Sequence, residues 1–306
     1  MRQVDDPRLW RLLLIAPLAV SLLLFAVPQY FFISTSFHHN LGYGRIDEAF
    51  SMENYARIFT DTLFLEALAR TVWLSATTAI LCLVLGFPVA YVLARAQSKW
   101  TPLLLGILVA ATFITPVVKD LGLIILLSKN GLVNGVLQGI GAISAPFTWL
   151  GSEAGVVIGL AHYTLPLIVL MLHTVLQTVP RSLEDAAHAH GASRLRVFYA
   201  VIIPIVRPGM VAAALMVFNL AAGAFTTPAL LGGGRVLTFS ILIQRAVILD
   251  VDYPFAAALS TLLLVFVFSL NLLSGYLMVK QTGNRKPTRT KSAAVPPALQ
   301  PNLKGA

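Results

Sequence analysis

Six stretches of this chain, residues 12–34, 70–94, 102–127, 154–178, 208–231 and 255–279, are each long and apolar enough to cross a bilayer, which takes about 20 residues of helix. No other feature narrows the fold so far. In hydrocarbon every backbone N–H and C=O must be paired inside the protein, so such segments are helices. The expected fold class is therefore all-α, a polytopic membrane protein with six transmembrane helices. Charge content agrees: 11% of residues are charged, where soluble domains carry about 25%. The first run follows Arg8 and Arg11 and outlasts a signal-peptide core of about 7–15 residues; no A-x-A site ends it. It reads as an uncleaved membrane helix. Two spans carry interruptions. Lys119-Asp120 falls in the third, and the fifth ends in FTTPALLGGG, where Pro228 and three glycines stop a helix.

Orientation follows from the loops, because cytoplasmic segments collect Lys and Arg. With the N-terminus inside, segments 1–11, 95–101, 179–207 and 280–306 are cytoplasmic. They hold 15 of the 22 basic residues and only four of the 13 acids (Asp5, Asp6, Glu184, Asp185). The net charge of +9 is thus explained by membrane topology and headgroup attraction, without nucleic acid. Both termini are expected in the cytoplasm. Residues 1–65 form an N-terminal segment, first helix and outer loop. Residues 66–279 form the main membrane domain, and 280–306 a basic, Pro-rich tail that reads as disordered. The outer loop 35–69 carries mixed charge and one amphipathic stretch, SMENYARIF.

The cytoplasmic segment RSLEDAAHAHGASRLRVFYAVIIP (181–204) is the polar exception in an apolar chain. Ser182 with Asp185 fits a capping box opening a short helix. Leu183, Ala186, Ala187 and His190 can share one face. Gly191 stands where a helix C-cap needs positive φ, and Ser193 can cap a second helix running from Arg194 to Pro204. The expected product is a bent helical pair on the membrane surface. By physics alone it is either an interfacial amphipathic helix or a docking element whose alanines admit a close neighbour.

The spacing of Asp185, Ala186, Ala187, Gly191, then Val201, Ile203 and Pro204 resembles the "EAA" loop of ABC importer permeases, with Asp185 where that family has Glu and Glu184 beside it. The stretches NYARIF (54–59), 67–95, GLVNGVL (131–137) and FTTPALLGGG (225–234) are similar to the spermidine/putrescine subgroup. Permeases for opines, ferric ion, thiamine and aminoethylphosphonate share much of this pattern. The resemblance implies the type I importer permease fold. It also implies partners: an ABC ATPase dimer docking on Ser182, Glu184, Asp185, Ala186, Ala187, Gly191, Ala192 and Ser193, a second permease subunit, most often forming a heterodimer, and a periplasmic binding protein. The implied cargo is a polyamine. No G-x-x-x-x-G-K-[ST] occurs, so ATP is expected to be hydrolysed by the partner and no cofactor to be bound by this chain.

Other constellations carry less. His188 and His190 point about 200° apart on a helix. His162 and His173 share a face but stand about 16 Å apart. No metal site is expected, and no nucleophile–base set supports an enzyme. Lys119 and Asp120 at membrane depth either face a cavity or sit at the water interface. The functional expectation is that Asp120 lines the path of a cationic amine on the outer side. Asn219 either bonds another helix or lines the path, and Thr226, Thr227 and Pro228 are candidates for an outer gate. An ion-coupled carrier would show repeated halves with broken helices, and no repeat is visible.

Overall fold

The computed structural model describes residues 7–96 and 98–283. The expectations for residues 1–6, and for the basic tail beyond Gly283, lie outside the described residues. Contacts divide the chain at Phe268/Ser269 into a large unit and a short one. Among the described residues the short unit is the last part of one helix.

The large unit begins with α1 (Pro7–Thr35), followed by a hairpin of β1 (His38–Asn40) and β2 (Ile46–Phe50), paired antiparallel with His38 opposite Phe50 and Asn40 opposite Ile46. This hairpin is the one departure from an all-α chain among the described residues. The amphipathic stretch becomes α2 (Glu53–Thr60), whose Ile58 is buried and whose Asn54 donates to the carbonyls of Ser36 and His38. Next come α3 (Thr62–Arg95), α4 (Thr101–Phe113), α5 (Pro116–Leu127), α6 (Leu132–Gly139) and α7 (Glu153–Gln177). The polar segment that begins at Arg181 forms α8 (Arg181–Ala189) and α9 (Arg194–Val197). A π turn (Phe198–Ile202) then leads into α10 (Ile203–Gly223), α11 (Thr226–Leu231), α12 (Phe239–Ile248) and α13 (Tyr253–Gly283).

Six helical stretches are long and apolar enough to span: Pro17–Thr35, Thr62–Arg95, Pro116–Gly139, Glu153–Gln177, Arg194–Gly223 and Tyr253–Leu277. The number agrees with the sequence; the second span starts at Thr62, eight residues before 70, and the bounds of the third and fifth differ as well. The third span is not one helix over 102–127. It breaks at Ile114-Thr115, both extended, because Pro116 offers no N–H to the preceding turn and pushes Thr115 out of helical geometry. The fifth span begins at Arg194, not 208, and ends at Gly223, not 231. At its start the π turn takes up Pro204, whose N–H is also missing, so no helix end occurs there. At its end Pro228 cannot donate to the carbonyl of Ala224, which accepts from the Ser240 hydroxyl at 2.7 Å instead.

Helix α7 is the centre of the fold: 56% of its most apolar window is buried, against 0% for Pro17–Thr35. One apolar cluster joins α3, α7, α10 and α11 through Leu74, Val156, Leu160, Ala221 and Leu231. A second joins α2, α3, α12 and the start of α13 through Ile58, Phe64, Phe239, Phe255 and Leu259. Gly159 of α7 is where α11 comes closest. A Cβ there would collide with the side chains of Leu231 and Thr227.

Candidate functional site

Two places gather the residues singled out from the sequence. The first is the turn over residues 181–204. Helix α8 starts from Pro180, and Ser182 lies inside it without capping, so the expected capping box does not form. Proline fits the position before Arg181 because no helical N–H is needed there. The end of α8 matches expectation. Gly191 has φ +79°, its N–H donates to the carbonyl of His188 at 2.9 Å, and the Ala192 N–H donates to Ala187 at 3.1 Å. This is the Schellman pattern of a glycine-terminated helix. Ser193 caps the next helix, accepting from the N–H of Arg196 at 3.4 Å. That helix does not stop at Pro204 but continues into the fifth span.

The inward face of α8 is not the expected one. Leu183, Ala186 and His190 are exposed, while Glu184 turns inward. Its carboxylate pairs with Arg95 at the end of α3, 2.5 Å away, and accepts from the Tyr91 hydroxyl at 3.2 Å. Arg95 also donates to the carbonyl of Val179, and Arg181 donates back to the carbonyl of Arg95 at 3.0 Å. Both charges of the pair are about 15% exposed or less, so this ion pair is far better shielded than a surface one. It ties α8 to the end of α3. Ser182, Asp185, Ala186, Gly191 and Ser193 remain on the open side. His188 is occupied locally, its Nδ1 3.0 Å from the carbonyl of Ala192, and no group of metal-binding side chains occurs among the described residues.

The second place is a cavity of about 340 Å³ where the two helix breaks meet. Pro116 borders it from the α4–α5 break, Thr226 and Thr227 from the α10–α11 break, with Asn219 and Tyr163 completing the wall. Pro228 is buried in the first turn of α11. Lys119 and Asp120 do not line this cavity. Asp120 is fully buried, its carboxylate accepting from the Thr227 hydroxyl at 2.9 Å. Lys119 is 8% exposed, with its ammonium 5.4 Å from the centre of the Tyr163 ring, a cation–π distance. Asp120 therefore holds the back of α11, and Thr227 stands between it and the cavity.

Tyr91, Arg95 and Arg181 at the first place and Pro116 and Tyr163 at the second were not among the residues expected from the sequence. Thr115-Pro116 was a legible helix breaker. Tyr91, Arg95 and Arg181 touch partners more than 80 residues away in sequence, and Tyr163 meets Lys119 from another helix; no spacing rule reaches that far.

An all-α bundle with six spans, a glycine-ended turn between the fourth and fifth and a cavity at two helix breaks defines a polytopic membrane permease. Residues 86–280 match the family of binding-protein-dependent transport system inner membrane components, and the chain belongs to that family. It is 34% identical over 247 residues to the spermidine/putrescine transport system permease protein PotB of Salmonella typhimurium (strain SL1344), covering 81% of this chain and 85% of that one. With PotB of Escherichia coli (strain K12) it shares 33% identity, over 81% of this chain and 89% of the relative. A permease chain of a bacterial alginate ABC transporter, crystallised in complex with an alginate pentasaccharide-bound periplasmic protein, superposes with a TM-score of 0.74 over 91% of this chain and 97% of that one, at 18% identity. This likeness is one of fold. The protein is thus a multi-pass inner-membrane subunit of an ABC importer, a transport subunit and not an enzyme, of the type I permease fold.

Proposed function

We propose that this chain forms one half of the path by which a polyamine such as putrescine or spermidine crosses the inner membrane. The observation that carries this reading is the 34% identity to PotB, which extends over 81% of the chain and so is not confined to the loop common to all such permeases. The second half is a different permease subunit, giving a heterodimer. In this reading both termini lie in the cytoplasm, which the excess of Lys and Arg in the corresponding loops supports, and residues 66–279 form the permease domain.

In this reading a dimer of ATPase subunits grips the open side of α8 and the Gly191 turn, within the coupling loop 181–204. ATP is bound and hydrolysed by that partner. Closing of the ATPase dimer tilts α8, and the Arg95–Glu184 pair passes the movement to α3. Such coupling requires the ATPase to bind the two permease states differently. The cavity at the two helix breaks, with Asn219, Thr226 and Thr227 in its wall, lies on the path. The polar groups of its wall are the Asn219 amide and the hydroxyls of Tyr163, Thr226 and Thr227, with no carboxylate among them, so an ammonium group in passage meets acceptors and nothing that would hold it tightly.

The experiment is uptake of radiolabelled putrescine and spermidine by cells that lack their own polyamine importers and express the complete operon-encoded system. Uptake that disappears when this permease is deleted and returns with it supports the proposal. A system that grows and assembles but takes up neither amine overturns the assigned cargo.

A further inference from the structure

The cavity at the two helix breaks has a charged neighbour behind its wall. Lys119 stands one turn beyond Pro116 on the same face of α5. Its ammonium is buried, has no hydrogen-bond partner among the described residues and lies 5.4 Å from the centre of the Tyr163 ring. The carboxylate next to it in sequence, that of Asp120, is engaged elsewhere and accepts from Thr227. No ion pair holds Lys119 among the described residues. A buried ammonium with neither a hydrogen bond nor an ion pair is costly, and the negative face of the Tyr163 ring offsets part of that cost.

Tyr163 also belongs to the cavity wall. Its ring is the group there that could attract a cation most strongly, and Lys119 already draws on it. An alkylammonium is what a polyamine carries at each end, so Lys119 presents to the ring the same chemical group as the cargo. A second ammonium reaching Tyr163 from the cavity meets a ring already engaged and a like charge beyond it, in a buried setting where charges act on one another strongly. We propose that Lys119 determines how strongly this cavity binds cations: its side chain is a tethered substitute for the cargo on Tyr163 and keeps the permease from holding the amine in passage. The inference rests on the polyamine reading for the charge of the cargo. A path conducts only where binding is weak enough for release, and a free aromatic face beside the buried Asp120 would be a trap for an ammonium. Lys119 acts through Tyr163 and is a positioning residue. Its part differs from that of Asp120, which holds α11.

The test is equilibrium binding of radiolabelled putrescine and of butylammonium to the complete ATPase–permease complex in lipid nanodiscs, without the binding protein. Lys119→Met keeps the length of the side chain and removes its charge. It should bind both amines at least about tenfold more tightly than the wild type, the factor that a desolvated cation–π contact represents. Uncharged butanol should gain nothing. Lys119→Arg keeps a cation beside the ring and should bind as weakly as the wild type. Tyr163→Leu added to Lys119→Met should remove the gain, which separates occupation of the ring from a general change of charge. A Lys119→Met complex with wild-type affinity overturns the proposal, and so does a gain that survives the loss of the Tyr163 ring. Should the Met variant fail to assemble, Lys119→Gln carries the same titration, and a wild-type value overturns the proposal equally. If the wild-type system imports no polyamine, the cargo reading fails, while butylammonium binding still decides the part played by Lys119.

Discussion

Gly191 shows how one residue can be indispensable without touching anything. It sits at φ +79°, and a Cβ added there would meet no atom within 4 Å. The constraint is therefore in the backbone. Left-handed geometry costs an ordinary residue about 1–2 kcal/mol, and a β-branched one is worse placed still. Gly191→Val is expected to leave insertion and permease pairing intact while weakening capture of the ATPase by about 5- to 30-fold, the factor that such an energy represents. Co-purification of the ATPase with the variant measures it. Gly191→Asn, which tolerates this geometry, should retain the ATPase, and a Val variant that assembles and transports normally would remove the coupling-loop assignment. Glu184 teaches the converse. It is charged and lies in the polar patch, yet it anchors α8 to Arg95 and leaves Asp185 on the open side.

Helix α11 is set off from α10 by the extended backbone at Ala224. Helix α11 has only six residues and is too short to be stable by itself. It is held by the packing of Leu231 and Thr227 over Gly159 and by the Thr227–Asp120 hydrogen bond. Asp120→Ala leaves a buried hydroxyl without its acceptor, at a cost of about 1–3 kcal/mol. Because Asp120 and Thr227 serve one contact, Thr227→Val added to Asp120→Ala should destabilise the purified transporter little beyond the worse single variant, with a coupling energy on the order of 1–3 kcal/mol. Thermal unfolding of the four proteins measures this, and additive effects would show that Asp120 does not hold α11. Asp120→Asn keeps an acceptor and removes the charge. Normal uptake and affinity in that variant would leave Asp120 as a clamp and exclude a direct part in the path.

At the scale of the whole molecule, transport needs energy from outside this chain. Proteoliposomes containing both permease subunits are expected to accumulate spermidine only when the ATPase, ATP and the binding protein are all supplied. Accumulation driven by an ion gradient without the ATPase would indicate a secondary carrier instead. The exposed apolar surfaces of α1 and α4 fit a membrane-spanning protein, whose surroundings there are not water.

Much of this architecture was legible before any coordinates. The six spans could be counted because hydrocarbon admits no unpaired backbone, so length and hydropathy alone mark each crossing. The Gly191 turn could be placed because positive φ leaves a signature in residue type, and the cap at Ser193 because hydroxyls before a helix have one common use. Local rules failed where distant segments compete for the same groups. Ser182 gave up its capping position to Pro180, and the surface helix expected to end at Pro204 ran on into the fifth span through a π turn. Asp120 could be seen from the sequence to be a charge at membrane depth. Only the tertiary structure could put Thr227, 107 residues away, against it, turn it from the cavity, and bring the breaks at Pro116 and Ala224 to one level. The sequence determined which segments enter the membrane and where the chain turns, because those depend on each segment's own solvation and backbone geometry. The tertiary structure decided which polar groups line the cavity, because that depends on helix rotation and on partners no local pattern specifies.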